Sequence, residues 1–322
     1  MYVRPLHCTI ERRSISCETC RYASRGANPG ASLGGWTMNR ERSATQCSVS
    51  WLLQHLDDQG VVVIDCRFAL GAPDAGRDAY RAGHIPGAHY ADLEEDLSRP
   101  PRPGEGRHPL PKEAAFAAFL QRVSITEASR VVVYDALGDM APRLWWMLRL
   151  YGHHDVRVLT GGIAAWHAAG GVLETGAVPQ ADPLTPMYVS TFKAEWILDK
   201  SDVQRLSQVR RVQHLLDARA PERYRGEIEP IDRKAGHIPG AVCVPFTSLY
   251  SAPAVLRDEA ELRDILDPYL DGAPLGVSCG SGVTACVLAM ALFEIGKQPR
   301  VYVGSFSEWC ADDSLPIATG DH

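Results

Sequence analysis

The chain has 322 residues, 45% hydrophobic and 22% charged, with a formal net charge of −6 at pH 7, which is long enough for two domains with separate cores. An acidic balance gives no support to nucleic-acid binding, and no apolar run approaches the length that spans a membrane. Nine cysteines at irregular spacing, with no continuous hydrophobic stretch in residues 1–30, argue against a secreted disulfide framework and for a reducing, cytoplasmic compartment.

Residues 1–44 carry seven arginines against three glutamates, several serines and no hydrophobic periodicity, and read as a disordered extension. Cys17 and Cys20 form a lone C-x-x-C, an incidental spacing in the absence of a second pair. Arginine and serine richness also allows an organelle transit peptide, although Glu11, Glu18 and Glu41 weigh against it, and Met38 is an alternative start. From Val49 the pattern turns regular. Trp51, Leu52 and Leu56 make one helix face, and the β-branched run Val61–Asp65 suits a central parallel strand. Asp65-Cys66-Arg67 follows, then His84-Ile85-Pro86-Gly87-Ala88, a second strand at Val131–Asp135, and an apolar helix through Leu144, Trp145, Trp146 and Leu148. The two tryptophans read as core or interdomain packing.

The series then repeats beyond a linker at 176–188. Asp217-Ala218-Arg219 answers Asp65-Cys66-Arg67, His237-Ile238-Pro239-Gly240-Ala241 answers His84–Ala88, and Cys279 stands where Asp135 stood. Separations agree within one residue: 19 against 20 from the aspartate to the histidine, and 31 against 30 from Asp135 or Cys279 to Trp166 or Trp309. Two copies of one α/β unit, at 45–175 and 189–322, follow from this self-similarity. Strands alternating with helices predict a mainly parallel sheet flanked by helices in each copy, with ligands at the carboxyl ends of the strands.

Cys279 lies at such an end. Pro274–Ser278 reads as a buried strand, and an apolar helix runs from Val283 to a C-cap at Gly296. A glycine-bearing turn between them leaves backbone N–H groups and the positive end of a helix dipole facing the sulfur, an arrangement that favours thiolate over thiol. A cysteine-dependent phosphatase would need a histidine before the cysteine and an arginine closing the loop; Ser278 and Ala285 stand there instead.

The loop Cys279-Gly280-Ser281-Gly282-Val283-Thr284-Ala285 resembles the active-site loop of two-domain rhodanese-type sulfurtransferases, in particular the 3-mercaptopyruvate branch; the thiosulfate branch has basic residues where this chain has Gly280 and Ser281. The resemblance extends from about residue 45 to the end. It implies tandem rhodanese-like domains, the first catalytically silent because Asp135 cannot act as a sulfur nucleophile. It also implies sulfur transfer through a Cys279 persulfide, with Gly280, Gly282, Val283 and Thr284 lining the substrate loop and no metal or organic cofactor. The acceptor would be cyanide or a thiol, such as a reduced thioredoxin-like protein. Arg223, in Glu222-Arg223-Tyr224-Arg225-Gly226, matches the family's substrate-holding arginine. A second family arginine is missing: Ile231 or Asp232 occupies its place, and Arg233 is the candidate substitute. The loop serine, Ser281, is expected to work with a histidine and an acid of the first copy, for which the resemblance offers His84 and Asp78, with Asp74 as an alternative acid. A purely turn-fixing role for His84 stands beside this, because His237 occupies the same motif. Thiosulfate:cyanide transfer and persulfide delivery to a protein partner are the competing functions.

Overall fold

The computed structural model describes residues 45–176, 186–207, 215–270 and 275–321, all within one compact unit, Glu41–His322. The expectations for residues 1–44, including the Cys17–Cys20 spacing, and for linker residues 177–185 lie outside the described residues.

The first copy runs β1 (Gln46–Cys47), α1 (Val49–His55), β2 (Val61–Asp65), α2 (Ala75–Ala82), β3 (His89–Tyr90), α3 (Glu113–Arg122), β4 (Arg130–Tyr134), α4 (Ala141–Leu150), β5 (Val156–Leu159) and α5 (Gly162–Ala168). The second runs β6 (Ile197–Leu198), α6 (Lys200–Ser207), β7 (Leu215–Asp217), α7 (Pro221–Tyr224) and β8 (Val242–Cys243). A small hairpin, β9 (Tyr250–Ala252) with β10 (Val255–Leu256), follows, then α8 (Glu259–Leu266), β11 (Gly276–Ser278), α9 (Ala285–Glu294), β12 (Arg300–Tyr302) and α10 (Ser305–Trp309).

Both sheets are parallel and share one topology: β1-β5-β4-β2-β3 in the first copy, β6-β12-β11-β7-β8 in the second. In each, the central strand (β4 or β11) carries the pivotal residue just beyond its carboxyl end: Asp135 in one case, Cys279 in the other. Such strands are buried on both faces, which is why Val131–Val133 and Val277 are all apolar and no more than 1% exposed.

Helix α9 is apolar around its whole circumference, and Ala285–Leu292 are all buried. A helix of this kind must be covered on every side; here its own sheet takes one face and α4 of the first copy another. The Trp145 ring meets Phe293 edge-on at 5.6 Å, the Arg149 guanidinium lies 4.0 Å from the Phe293 ring centre, and a single apolar cluster continues from one copy into the other. Trp145 therefore packs between the repeats, and Trp146 is buried in the same apolar cluster. Gly296 ends the helix in the left-handed region, φ +77°, donating its N–H to Phe293 O at 3.0 Å. No helix among the described residues is long and apolar enough to cross a membrane.

Candidate active site

The loop after β11 folds back on the Cys279 side chain. Gly282, at φ +79°, turns its N–H toward the sulfur and donates at 3.1 Å. Cys279 N–H donates in turn to Ser305 Oγ at 3.1 Å, and that hydroxyl lies 4.0 Å from Sγ. Ser305 holds this place at φ +52°, a conformation that costs a non-glycine residue on the order of 1 kcal/mol and is usually kept where the surroundings over-determine it. Backbone bonds from Phe306 N to Cys279 O, 3.0 Å, and from Ser307 N to Gly280 O, 2.8 Å, tie the loop to the start of α10.

Cys279 opens on a cavity of about 220 Å³ between the two copies. The first copy contributes Phe68, Leu93, Arg107, His108 and Met140; the second contributes the loop with Arg219, Arg223 and Phe246. Two guanidinium groups converge over Gly280. A methyl group built there would stand 3.0 Å from Arg107 Nη2 and 3.6 Å from Arg223 Nη1. Both are held by carboxylates: Asp232 pairs with Arg107 and, at 2.9 Å, with Arg223 Nη2, while Glu229 pairs with Arg223 at 2.7 Å.

Ser281 faces the same cavity, and its Oγ lies 2.8 Å from His108 Nδ1. His108 is 6% exposed. Burial, then the nearby Arg143 and Arg107 cations, pull its pKa down to about 4, so the ring is neutral at physiological pH and can accept the serine proton. Arg143, reaching in from α4, is wholly buried and donates to three backbone carbonyls: Gly282 O at 3.0 Å, His108 O at 3.1 Å and Leu97 O at 3.3 Å. One cation thus pins the cysteine loop and the histidine segment together. Its cost is desolvation, which lowers the guanidinium pKa from its usual value.

The rhodanese-like domain family matches residues 48–169 and 199–312, once on each sheet. The chain belongs to the rhodanese family. Its relatives include a probable 3-mercaptopyruvate sulfurtransferase of Pseudomonas aeruginosa, 44% identical over 288 residues covering 87% of this chain and 99% of the relative. A putative thiosulfate sulfurtransferase, SseB, of Mycobacterium tuberculosis is 40% identical over 264 residues, covering 81% and 91%. Among solved structures, the 3-mercaptopyruvate sulfurtransferase SseA of Escherichia coli superposes with a TM-score of 0.70 at 33% identity, covering 82% of this chain and all of that one.

Within this rhodanese pair, the structure brings Cys279, Gly280, Ser281, Val283, Thr284 and Arg223 around one cavity and puts the Gly282 N–H on the sulfur. It sends three expected residues elsewhere. His84 does not meet Ser281: its ring stacks on Tyr80 with centres 3.8 Å apart, its Nδ1 lies 2.8 Å from Tyr80 O, and its backbone bridges to Glu174. His237 repeats this arrangement on Tyr224, at 3.7 Å and 2.8 Å, with a bridge to Ala318. Two copies of one motif in one environment identify a device that closes the fold, so the turn-fixing reading of His84 replaces the catalytic one. Asp78 is exposed on α2, 3.5 Å from Arg81, and Asp74 sits at the start of that helix; neither lines the cavity. Arg233 is also exposed, 4.0 Å from Asp313, and the second guanidinium of the site is Arg107 instead.

Sequence reading missed Arg107, His108 and Arg143. A signal for the first two does exist: the segment between β3 and α3 is longer than its counterpart between β8 and α8 in the second copy, and it carries Gly106-Arg107-His108. Gly106 lies so close to Gly304 that an added methyl group would stand 2.4 Å from its carbonyl oxygen. Glycine there lets the first copy's loop press against the second copy's site.

Proposed function

We propose that the protein transfers the thiol sulfur of 3-mercaptopyruvate, by way of a Cys279 persulfide in which it is the outer, sulfane sulfur, to a thiol acceptor or cyanide. The observation that carries this reading is a nucleophilic sulfur opening on a cavity rimmed by two guanidinium groups, Arg107 and Arg223, with no basic side chain inside the loop itself. The names of the Pseudomonas and Escherichia relatives support the same donor.

In the first half-reaction the Cys279 thiolate attacks the donor sulfur. An S–S bond forms, the C–S bond breaks, and its electron pair goes to the methylene carbon as the enolate of pyruvate. The donor thiol's proton must reach that carbon to give pyruvate, leaving the enzyme as a persulfide anion. With His108 neutral, Ser281 and His108 form a path for that proton. The Gly282 N–H donates to the Cys279 sulfur, and Arg107 and Arg223 hold the donor carboxylate. In the second half-reaction an acceptor thiolate, of a small molecule or a thioredoxin-like protein, attacks the outer sulfur. The persulfide bond breaks and Cys279 regains its electron pair, so that one hard transfer is divided into two. The first copy has no sulfur at the equivalent place and is silent on this reading. Free Cys47, Cys66, Cys243, Cys279, Cys286 and Cys310 support a reducing compartment such as the cytoplasm.

The test compares initial rates of pyruvate release from 3-mercaptopyruvate with thiocyanate formation from thiosulfate and cyanide, for the wild type and Cys279→Ser. Preference for mercaptopyruvate and a dead variant are expected. A preference for thiosulfate overturns the donor assignment; activity surviving in Cys279→Ser overturns the mechanism.

A further inference from the structure

The two guanidinium groups that face the donor cavity are already occupied. Asp232, its side chain only 2% exposed, bridges Arg107 and Arg223. Glu229 takes the other side of Arg223 and approaches Arg219, whose main partner is Asp217. Counted formally, three arginines face three carboxylates, and the cluster is neutral. Yet Glu229 and Asp217 are bound into the surrounding backbone: Glu229 Oε1 accepts N–H bonds from Ile231 and Asp232 at 3.0 and 2.9 Å, and Asp217 Oδ1 accepts from Arg219 N at 3.0 Å. No backbone bond to the Asp232 carboxylate is seen among the described residues; its partners are the two guanidinium groups. Arg107 meanwhile keeps a buried Nε–H without an acceptor, so the clamp is paired but not saturated.

We infer that Asp232 is an internal occupant of the donor clamp and sets its charge selectivity, its carboxylate standing between Arg107 and Arg223 where a donor's anionic head would bind. The inference rests on the donor-pocket reading given above and goes beyond it by naming the residue that discriminates between donors. A fixed negative charge beside the site weakens every anion, and because Coulomb energy scales with the ligand's charge it weakens a dianion such as thiosulfate more than a monoanion such as 3-mercaptopyruvate. Ile231 or Asp232 falls where the family resemblance implies a second arginine, and the first copy's Arg107 supplies a cation from across the cleft. The exchange leaves a clamp with two cations and a counter-charge of its own.

The test avoids turnover by measuring equilibrium binding in a Cys279→Ala background. Calorimetric titrations of pyruvate (monoanion) and inorganic sulfate (dianion) at fixed ionic strength are compared with and without Asp232→Asn, which keeps the side chain's size. The expected result is tighter binding of both, about fivefold for pyruvate and about twentyfold or more for sulfate. Unchanged or weaker binding of both would mean that Asp232 only orients the arginines, and an equal gain for both would remove the selectivity claim; either overturns the inference. Arg107→Gln in the same background, which leaves the Asp232–Arg223 pair in place, serves if the asparagine variant does not fold. It is expected to weaken both ligands, sulfate more, and no weakening again overturns the inference. Failure of the wild type to use either sulfur donor would sink the proposed reaction without altering these binding constants.

Discussion

Two glycines of the cysteine loop, on either side of Ser281, should respond oppositely to the same added methyl group. At Gly282 the backbone has φ +79°, and a Cβ would stand 2.3 Å from Val303 O and 3.0 Å from Val303 C. The left-handed conformation costs an alanine about 1–2 kcal/mol. Relieving the overlap means moving a backbone carbonyl by about 1 Å, at a cost of about 1–3 kcal/mol. Gly282→Ala is therefore expected to lose about 3 kcal/mol, a large share of a stability of about 5–15 kcal/mol. Val303 leads directly into Gly304 and Ser305, whose hydroxyl accepts the Cys279 N–H, so the displacement reaches the nucleophile, where a 1 Å error costs about 100-fold in rate. At Gly280 the backbone is ordinary and the neighbours are the far ends of flexible side chains, Arg107 Nη2 at 3.0 Å and Arg223 Nη1 at 3.6 Å. Gly280→Ala should leave stability within about 0.5 kcal/mol of the wild type and raise KM for the donor by disturbing the two guanidinium groups. Urea denaturation and steady-state kinetics on both variants decide the matter. Equal damage at the two positions, or a Gly282→Ala enzyme with wild-type stability and kcat, would refute the reasoning.

Arg143→Met should lower kcat by about 100-fold with a smaller change in KM, because it releases both the Gly282 and the His108 carbonyls while leaving Arg107 and Arg223 untouched; steady-state kinetics with an unchanged kcat would remove the pinning role. His108 also predicts a pH effect on stability. Its pKa lies near 4 in the fold against about 6.5 in the unfolded chain, so the unfolded state takes up the proton first as pH falls. Its contribution is complete above pH about 6.5 and is lost progressively toward pH 4, by at most about 3 kcal/mol. Unfolding free energies at pH 7, 5.5 and 4.5 should fall less steeply for His108→Gln than for the wild type, and parallel profiles would contradict this assignment.

What the sequence displays and what it hides divide along physical lines. The repeat, the parallel sheets and the helix from Ala285 to Glu294 were legible because they follow from local periodicity and capping, and Cys279 because glycines at fixed offsets announce a turn. Arg223 was visible through the resemblance of Glu222-Arg223-Tyr224-Arg225-Gly226 to a family segment. His108 and Arg107 act across the cleft, so their role depends on how two copies pack, and the glycine beside them is the only local trace of that packing in residues 105–109. His84 misled because its motif is conspicuous; the equal prominence of His237 was the better guide. Arg143 reads as one polar residue on an apolar helix, and only the arrival of Gly282 and His108 carbonyls around it makes its burial intelligible.

The two copies share one topology and differ in what occupies the loop beyond the central strand. Asp135 occupies the position of Cys279, and its carboxylate fills its own loop: it accepts N–H bonds from Gly138 at 2.5 Å and from Met140 and Ala141 at 2.7 Å. The donors that could stabilise an incoming anion or a thiolate are spent on an internal oxygen, at the expense of burial that pushes this carboxyl group's pKa upward. Backbone correspondences persist, since Ile163 N binds Asp135 O just as Phe306 N binds Cys279 O, both at 3.0 Å. What distinguishes the copies is the occupant of the nest. With its own loop saturated, the first copy bears on the proposed chemistry through the groups it sends across the cleft: Arg107 toward the donor, His108 toward Ser281 and Arg143 beneath the loop. Asymmetry between two like domains is thus the arrangement that lets a single cysteine draw charged partners from both.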